Sequence, residues 1–190
     1  LTGLCPGVHT VDVTDAICCT VNFDIAVSNI GGPTGATAVS QNASCFGVCD
    51  GEASVTPVGG IAPYTYLWVP GGQTTAAVTG LCAGTYNVQI TDSAGCVFTQ
   101  LITINEPSEI VGNANVTQAT CGQCNGEIVL TPSGGDGGPY TYSWSPNVSV
   151  NDTAANLCAG IHTATITDNS GCESVVTIPV SNIDGPTATG

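Results

Sequence analysis

The cysteines are the residues of this sequence best suited to chemistry. The chain has 11 cysteines and two histidines in 190 residues, and no lysine or arginine. Cysteines at this density either bind metal or form disulfides, and disulfides require an oxidising compartment. Cys121 and Cys124 have the spacing of half a zinc knuckle, but a zinc site needs four tightly spaced ligands. Cys45 and Cys49 occupy the same position with different spacing, so we expect disulfides and no metal.

These cysteines recur with an internal repeat. Three matching segments, LCPGVHTVDVTDAICC, LCAGTYNVQITDSAGC and LCAGIHTATITDNSGC, begin at Leu4, Leu81 and Leu157, which are 77 and 76 residues apart. SNIGGPT at Ser28 returns as SNIDGPT at Ser181, 153 residues later, so the repeats alternate in type. A fixed period of this length indicates a repeat array.

The repeat predicts the domain organisation. We expect the C-terminal half of a repeat at 1–35, full repeats at 36–107 and 108–182, and a linker at 183–190. The chain then reads as an excerpt of a longer array with a two-repeat unit. The alternative is a filament subunit whose half repeat is completed by strands of a neighbour, as in donor-strand complementation.

Each full repeat has four cysteines at matching positions, which are Cys45, Cys49, Cys82 and Cys96 in the first and Cys121, Cys124, Cys158 and Cys172 in the second. Four cysteines allow three connectivities, and spacing does not choose among them. Cys5 and Cys19 correspond to the last two positions, and Cys18 is additional. We leave Cys5, Cys18 and Cys19 unassigned.

Short strands must position these cysteines. Stretches rich in Val and Thr, separated by Gly, Pro, Asn and Asp, indicate an all-β fold. In the first full repeat we expect strands at about 38–45, 52–57, 64–68, 75–79, 85–91 and 97–104. Alternation in the fifth of these points one face into a core. We assign Trp68, Trp144, Tyr86 and His162 to that core.

The charge excludes several function classes. The net charge is −14, with no basic side chain to neutralise phosphate, so we expect neither nucleic acid binding nor contact with anionic lipid. The longest apolar runs are only a few residues, too short for a membrane span. No nucleophile–base or paired-carboxylate constellation stands out, and we expect no enzymatic activity. His9 and His162 lie on predicted strands and are interpreted as packed side chains.

Aspartates at the turns offer ligands for one cofactor. Asp50, Asp92 and Asp168 are candidate calcium ligands, since calcium takes six to eight oxygens. Aspartate in such turns more often accepts hydrogen bonds from its own backbone. We therefore expect no cofactor, with calcium as the alternative.

The repeat resembles a known family. CFGVCDGEASVTPVGGIAPYTYLW, from Cys45 to Trp68, and its counterpart from Cys121 to Trp144 are similar to the SprB-type repeat of Bacteroidetes surface adhesins. That repeat is related to PKD and immunoglobulin-like domains. The resemblance implies tandem Ig-like β-sandwiches stapled by disulfides, export by type IX secretion and display as a long surface fibre.

The resemblance also implies particular sites. Family members often keep the outer cysteine pair and lack the inner one, which implies the disulfides Cys45–Cys96, Cys49–Cys82, Cys121–Cys172 and Cys124–Cys158. Asp-Ser-Ala and Asp-Thr-Ala resemble the O-glycosylation motif of Bacteroidetes, with Ser93 and Thr153 as acceptors.

We therefore expect an extracellular, cell-surface structural or adhesive array that forms a stalk or filament. Its partners would be neighbouring repeats or copies of itself, with a surface glycan or protein as ligand. The alternative is a carbohydrate-binding module of a secreted protein. That function requires an exposed aromatic platform, for which Tyr64 and Tyr140 are the candidates.

Overall fold

The computed structural model describes residues 7–27 and 31–183. Within these ranges the regular structure consists entirely of β-strands, and no helix is long and apolar enough to cross a membrane. The expected linker from residue 184 onward and Cys5 lie outside the described residues. The chain divides into two compact units: Leu1–Ala43 with Cys49–Asn105, and Ser44–Val48 with Glu106–Gly190.

The first unit contains a separate hairpin and one six-stranded sandwich. The hairpin consists of β1 (Gly7–Thr14) and β2 (Thr20–Val27), which pair antiparallel as a two-stranded sheet. The sandwich strands are β3 (Pro33–Gln41), β4 (Gly51–Gly59), β5 (Thr65–Val69), β6 (Ala77–Leu81), β7 (Gly84–Thr91) and β8 (Val97–Ile104). They form two antiparallel sheets with the orders β3-β4-β6 and β5-β7-β8.

The core of the first sandwich follows from the period-two pattern of its strands. In β7, Val88 and Ile90 are fully buried while Asn87 and Gln89 between them are exposed. Trp68 on β5 is also fully buried and packs with residues of both sheets. Its indole Nε1 donates to the carbonyl of Thr75 at 2.8 Å, so the one polar atom of this side chain is paired.

The second unit repeats this arrangement. Its strands are β9 (Ser108–Thr117), β10 (Ala119–Thr120), β11 (Gly126–Gly135), β12 (Thr141–Ser145), β13 (Thr153–Leu157), β14 (Gly160–Thr167), β15 (Glu173–Val180) and β16 (Asn182–Ile183). The main sheets have the orders β9-β11-β13 and β12-β14-β15, and β10 pairs parallel with β16. Trp144 is buried, and its Nε1 donates to the carbonyl of Asn151 at 2.9 Å.

The strand order identifies the sandwich type. In both units, strands one, two and four of the sandwich form one sheet, and strands three, five and six form the other. This is the division of immunoglobulin-like domains into an A-B-E sheet and a C-F-G sheet. The chain is thus an all-β protein of tandem Ig-like sandwiches with disulfides, as the sequence predicts.

The first strand of the repeat lies earlier than predicted. We expect it at about 38–45, whereas β3 spans Pro33–Gln41, and the expected boundary at 35/36 falls within it. Residues 42–50 instead form a loop, because the Ala43 backbone N–H donates to the Asn105 carbonyl and leaves the ladder with β4. We call 42–50 and its counterpart 118–125, which includes β10, the A–B loops.

Candidate functional site: disulfides and the turns that present them

One disulfide closes each sandwich locally, and the two bonds are equivalent. Cys49 is bonded to Cys82 and Cys124 to Cys158, with Cα–Cα distances of 3.9 and 3.8 Å. The strand register places them: Gly51 pairs with Leu81, and Cys49 and Cys82 lie just beyond that pair. Gly126 and Leu157 provide the same frame in the second unit. These are the inner pairs that the family resemblance implies.

The outer pairs differ from the expected ones. Cys45 is bonded to Cys172, with a Cα–Cα distance of 5.6 Å across 127 positions of sequence, so neither Cys45–Cys96 nor Cys121–Cys172 is formed. Cys96 is also disulfide-bonded, and Cys121 is an exposed free thiol. A bond therefore joins the first cysteine of one sequence repeat to the last cysteine of the next.

The A–B loop explains this correction. Ser44–Val48 belongs to the second unit, although the sequence on both sides of it belongs to the first. There the Gly47 backbone N–H donates to Glu106 Oε2 at 2.7 Å, and Cys45 packs against the core that contains Trp144. A disulfide needs Cα atoms within about 7 Å. The loop gives Cys45 that distance to Cys172.

Cys172 is held by a turn that occurs three times. In this F–G turn, which covers 15–19, 92–96 and 168–172, an aspartate Oδ1 accepts from the backbone N–H of the cysteine four residues later. The distance is 2.9 Å for Asp15, Asp92 and Asp168 alike. The aspartate N–H donates back to the carbonyl of the same cysteine at 3.0 Å. These hydrogen bonds therefore fix the cysteine relative to the aspartate in each Asp–x–x–x–Cys turn.

The last residue before the cysteine is constrained by the same turn. Gly95 and Gly171 have φ of +83° and +87°, and Cys18 takes the same left-handed region with φ of +68°. A non-glycine residue is uncommon there. Cys18 thus occupies the turn's glycine position, and both Cys18 and Cys19 are exposed free thiols.

Backbone N–H groups stabilise the ionised form of the turn carboxylates. Burial alone would raise the pKa of Asp92, but backbone N–H donors from Cys96, Ile61 and Ala94 outweigh it, and the pKa lies below its ordinary value of 3.8. For Asp168 the Asp136 N–H contributes most, at 2.9 Å to Oδ2, and again the pKa is lowered despite burial. Both carboxylates therefore act as anionic acceptors in the fold.

The same contacts argue against the expected calcium alternative. Both oxygens of Asp92 and of Asp168 already accept backbone N–H groups. Over residues 7–27 and 31–183, no three His, Cys, Asp or Glu side chains are grouped as metal ligands, so Asp50 is not part of such a cluster. The residues do not fit a calcium site.

The start of strand F carries a corner that the two repeats build differently. Tyr86 Oη donates to the carbonyl of Cys82 at 2.9 Å, which is a tyrosine corner. His162 occupies the equivalent position, and its Nε2 lies 3.0 Å from the carbonyl of Cys158. Because a carbonyl only accepts, Nε2 carries the proton, and the buried Nδ1 has no partner. Tyr86 is half-buried and His162 buried, whereas His9 is half-buried on the hairpin.

The remaining candidate residues are placed as follows. Tyr64 and Tyr140 are half-buried, and their hydroxyls donate to the carbonyls of Gly59 and Gly134, so neither forms an exposed platform. Ser93 is exposed on its F–G turn. Thr153 is half-buried in β13, and its hydroxyl donates to Asp152.

The hairpin matches the F–G strand pairs of the two sandwiches. Its turn at Asp15 matches the other two turns, and its strands β1 and β2 correspond to β7 and β8. The face that corresponds to the core is exposed in the described residues, with Val21, Phe23 and Ile25 at 55%, 54% and 49%.

Comparison with known proteins finds one matching family model. The family model of the SprB repeat matches residues 37–73 and 113–149, two positions 76 residues apart. Each of these two segments matches the SprB repeat. Each match begins in strand A of a sandwich and runs through strand C, so each covers the first half of one Ig-like sandwich. A search of curated proteins gave no match.

Several solved structures are similar to this chain at low identity. A C-terminal intimin fragment, solved with the intimin-binding domain of its translocated receptor, is 15% identical with a TM-score of 0.39. The match covers 79% of this chain and 64% of that fragment. The N-terminal eight Ig domains of DSCAM are 12% identical, with a TM-score of 0.38 and coverage of 86% and 26%. The surface layer protein SbsC, domains 1–6, is 14% identical, with a TM-score of 0.30 and coverage of 88% and 30%.

Proposed function

We propose that this chain is a structural and adhesive module of an extracellular stalk or filament, in which the Cys45–Cys172 disulfide carries tension past the residues that it encloses. The observation that carries the proposal is the Cys45–Cys172 bond, which ties one sequence repeat to the next. Three disulfides between described cysteines suit an oxidising, extracellular setting.

The long bond is a covalent shortcut along the chain. It closes a loop of 127 positions, and both inner disulfides lie within that loop. When the chain is pulled from its ends, force passes from Cys45 to Cys172 and does not extend the residues between them. Fully extended, that segment would add roughly 440 Å of length. A module built in this way resists stretching even if its sheets open.

The composition supports an exposed role. The chain lacks lysine and arginine, so trypsin-like proteases have no cleavage site, and its net charge of −14 opposes non-specific association. As partners we propose neighbouring repeats and copies of the same chain, with a surface glycan or protein as the adhesion ligand. The proposal includes no catalytic step.

Single-molecule force extension tests the proposal. All proteins carry handles at both termini and Cys96→Ser, because Cys96 forms a further disulfide. With Cys45–Cys172 intact, we expect no extension from the residues between these cysteines. The variant C45S/C172S should gain roughly 210 Å, since the inner loops of 33 and 34 positions stay closed.

The inner disulfide supplies the matched control. C49S/C82S opens a bond that lies inside the long loop, so we expect no gain in extension while Cys45–Cys172 is present. A gain of roughly 110 Å in that variant would mean that the long bond does not shield the segment, and would overturn the tension-bearing role.

Strand exchange between chains is the second candidate for filament assembly. The apolar face of the β1–β2 hairpin, which includes Phe23 and Ile25, is exposed in the described residues and has the pattern of a sandwich core face. Strands of another chain covering it would bury that face. Phe23→Asp should then abolish non-covalent assembly as seen by analytical ultracentrifugation, and unchanged assembly would refute strand exchange.

A further inference from the structure

The A–B loops of the two repeats place Cys45 and Cys121 in equivalent positions. Each loop is tied to the end of strand G: the Ala43 N–H donates to the Asn105 carbonyl at 2.9 Å, and the Ala119 N–H to the Ser181 carbonyl at 3.0 Å. Asn42 and Gln118 side chains accept from the backbone N–H of Asn105 and Ser181 in return.

The equivalence extends past these ties. The Gly122 N–H donates to Asn182 Oδ1 at 2.8 Å, in the way that the Gly47 N–H donates to Glu106 Oε2. The two loops thus share one anchoring scheme, but Cys45 is bonded and Cys121 is an exposed free thiol. Cys45 is bonded to the F–G turn of the following sequence repeat.

The chain also presents one F–G turn with an unpaired thiol. Cys19 has the hydrogen bonds of Cys172: its N–H donates to Asp15 Oδ1 at 2.9 Å, and its carbonyl accepts from the Asp15 N–H at 3.0 Å. Cys172, in the equivalent turn, forms a disulfide with Cys45 of the A–B loop. Cys19 is an exposed free thiol in the same turn.

We propose that Cys121 of one copy of this chain forms a disulfide with Cys19 of a second copy, and so joins copies end to end. The junction would repeat the Cys45–Cys172 bond between chains. This inference rests on the proposed function, because it names the residues through which tension would pass from one module to the next.

The bond forms by thiol–disulfide exchange. The Cys121 thiolate attacks a small-molecule disulfide RSSR, forming a mixed disulfide and releasing one RS⁻. The Cys19 thiolate of the second copy then attacks the Cys121 sulfur and releases the second RS⁻. Two protein thiols are oxidised to one disulfide and RSSR is reduced to two RSH, which carry the two protons.

Charge should set the rate of joining. Each copy carries a net charge of −14, so two approaching copies repel one another. Salt screens this repulsion, with a Debye length of about 30 Å at 0.01 M and about 8 Å at 0.15 M. We expect joining to be at least several-fold faster at the higher ionic strength.

Oxidation of the purified 190-residue chain with oxidised glutathione tests the inference, with products read on non-reducing gels. We expect a ladder of covalent multimers that dithiothreitol collapses. Cys121→Ser and Cys19→Ser should each abolish the ladder. An equimolar mixture of these two variants should give dimers and nothing larger, because each variant retains one of the two thiols.

Cys18→Ser is the control, and we expect its ladder to be unchanged. Persistence of the ladder in Cys121→Ser, its loss in Cys18→Ser, or the absence of multimers in the unsubstituted chain would each overturn the inference. Because all three thiols are exposed, we expect each variant to fold, and circular dichroism checks this. The force measurement uses single chains, so tension shielding stands or falls separately from end joining.

Discussion

The two full repeats share one fold but differ at the first cysteine of each A–B loop. Cys45 is half-buried and bonded to Cys172, whereas Cys121 in the equivalent loop is exposed and free. The inner pairs, Cys49–Cys82 and Cys124–Cys158, are the same in both. The difference teaches that the inner bond belongs to a single repeat, while the outer bond belongs to a pair of consecutive repeats.

The largest expected effect comes from opening the bond that only one of the two loops makes. A loop of 127 positions gives a disulfide contribution of about 5 kcal/mol in the chain-entropy model. We expect C45S/C172S to lose about that much free energy of unfolding in urea, followed by tryptophan fluorescence. Cys121→Ser should change it by less than about 0.5 kcal/mol. Equal losses in the two would remove the distinction between the loops.

The glycine that ends β11 tests the contact with the aspartate of the second repeat's F–G turn. Gly135 has φ of +61°, and an added Cβ would lie 2.4 Å from Asp168 Oδ2. We expect Gly135→Ala to cost about 3 kcal/mol, from the left-handed conformation and the displaced carboxylate. Gly137→Ala is the control, with φ of +86° and no atom within 4 Å of the new Cβ, and should cost about 1 kcal/mol.

In the first repeat the equivalent substitution meets a different neighbour. A Cβ at Gly60 would lie 3.0 Å from the ring of Pro33, which supplies its three nearest atoms. Gly60→Ala should therefore destabilise the fold without changing its acid sensitivity. If Gly135→Ala cost no more than Gly137→Ala in the same denaturation assay, the contact with Asp168 would be irrelevant to stability.

We expect a tyrosine to replace the histidine of the second corner without loss of stability. Tyr86→Phe removes the hydrogen bond to the Cys82 carbonyl and should cost about 1 kcal/mol. His162→Tyr keeps a donor for the Cys158 carbonyl and removes the unpartnered Nδ1, so stability should be unchanged or higher by about 1 kcal/mol. Calorimetry of both variants checks this, and a large loss in His162→Tyr would show that the two corners are not equivalent.

Acid should act through the F–G turns, with the smallest effect. The pKa of Asp168 is lowered, so its stabilising contribution is present above its ordinary value of 3.8 and is lost as pH falls below it. Asp168→Asn places an amide N–H₂ group against the Asp136 N–H and should lower Tm by a few degrees at pH 7. That gap should narrow below about pH 3.8. A gap that stays constant down to pH 2.5 would contradict the role of the ionised carboxylate.

Asp15→Asn separates turn geometry from charge. The two side-chain hydrogen bonds that Asp15 receives in its turn both go to Oδ1, from the N–H groups of Ile17 and Cys19, and an asparagine oxygen accepts both. We expect this variant to keep the turn, as judged by hydrogen exchange of the Cys19 amide. Faster exchange at that amide would show that the turn needs the charge.

Much of the fold is predictable from local pattern. Strand G is expected at 97–104 and β8 spans Val97–Ile104, and strand F is expected at 85–91 and β7 spans Gly84–Thr91. These strands alternate cleanly and end at the Asp–x–x–x–Cys turn. The first strand is misplaced because Ala43 to Cys45 are compatible with a strand, and their departure from it depends on a bond to Asn105, 62 positions away.

The outer disulfide is not predictable in the same way. The inner pairs are implied by the family resemblance, and the structure places them beside hydrogen-bonded strands, with Gly51 opposite Leu81. Cys45 lies on a loop that belongs to the second unit. Neither the cysteine spacing nor the outer pair that family members often keep indicates this. His162 shows the opposite case, since the repeat places it at the position of Tyr86, and each side chain bonds the carbonyl four residues earlier.

Disulfide mapping of the unreduced protein tests the central claim most directly. Cleavage after Asp and Glu, the only charged residues besides the two histidines, places Cys172 alone on peptide 169–173 and Cys96 alone on 93–106. Mass spectrometry should find 169–173 bonded to 25–50, which carries Cys45 and Cys49. Finding 169–173 bonded to 110–127, which carries Cys121, with 25–50 bonded to 93–106, would instead confine each outer bond to one repeat and contradict the account.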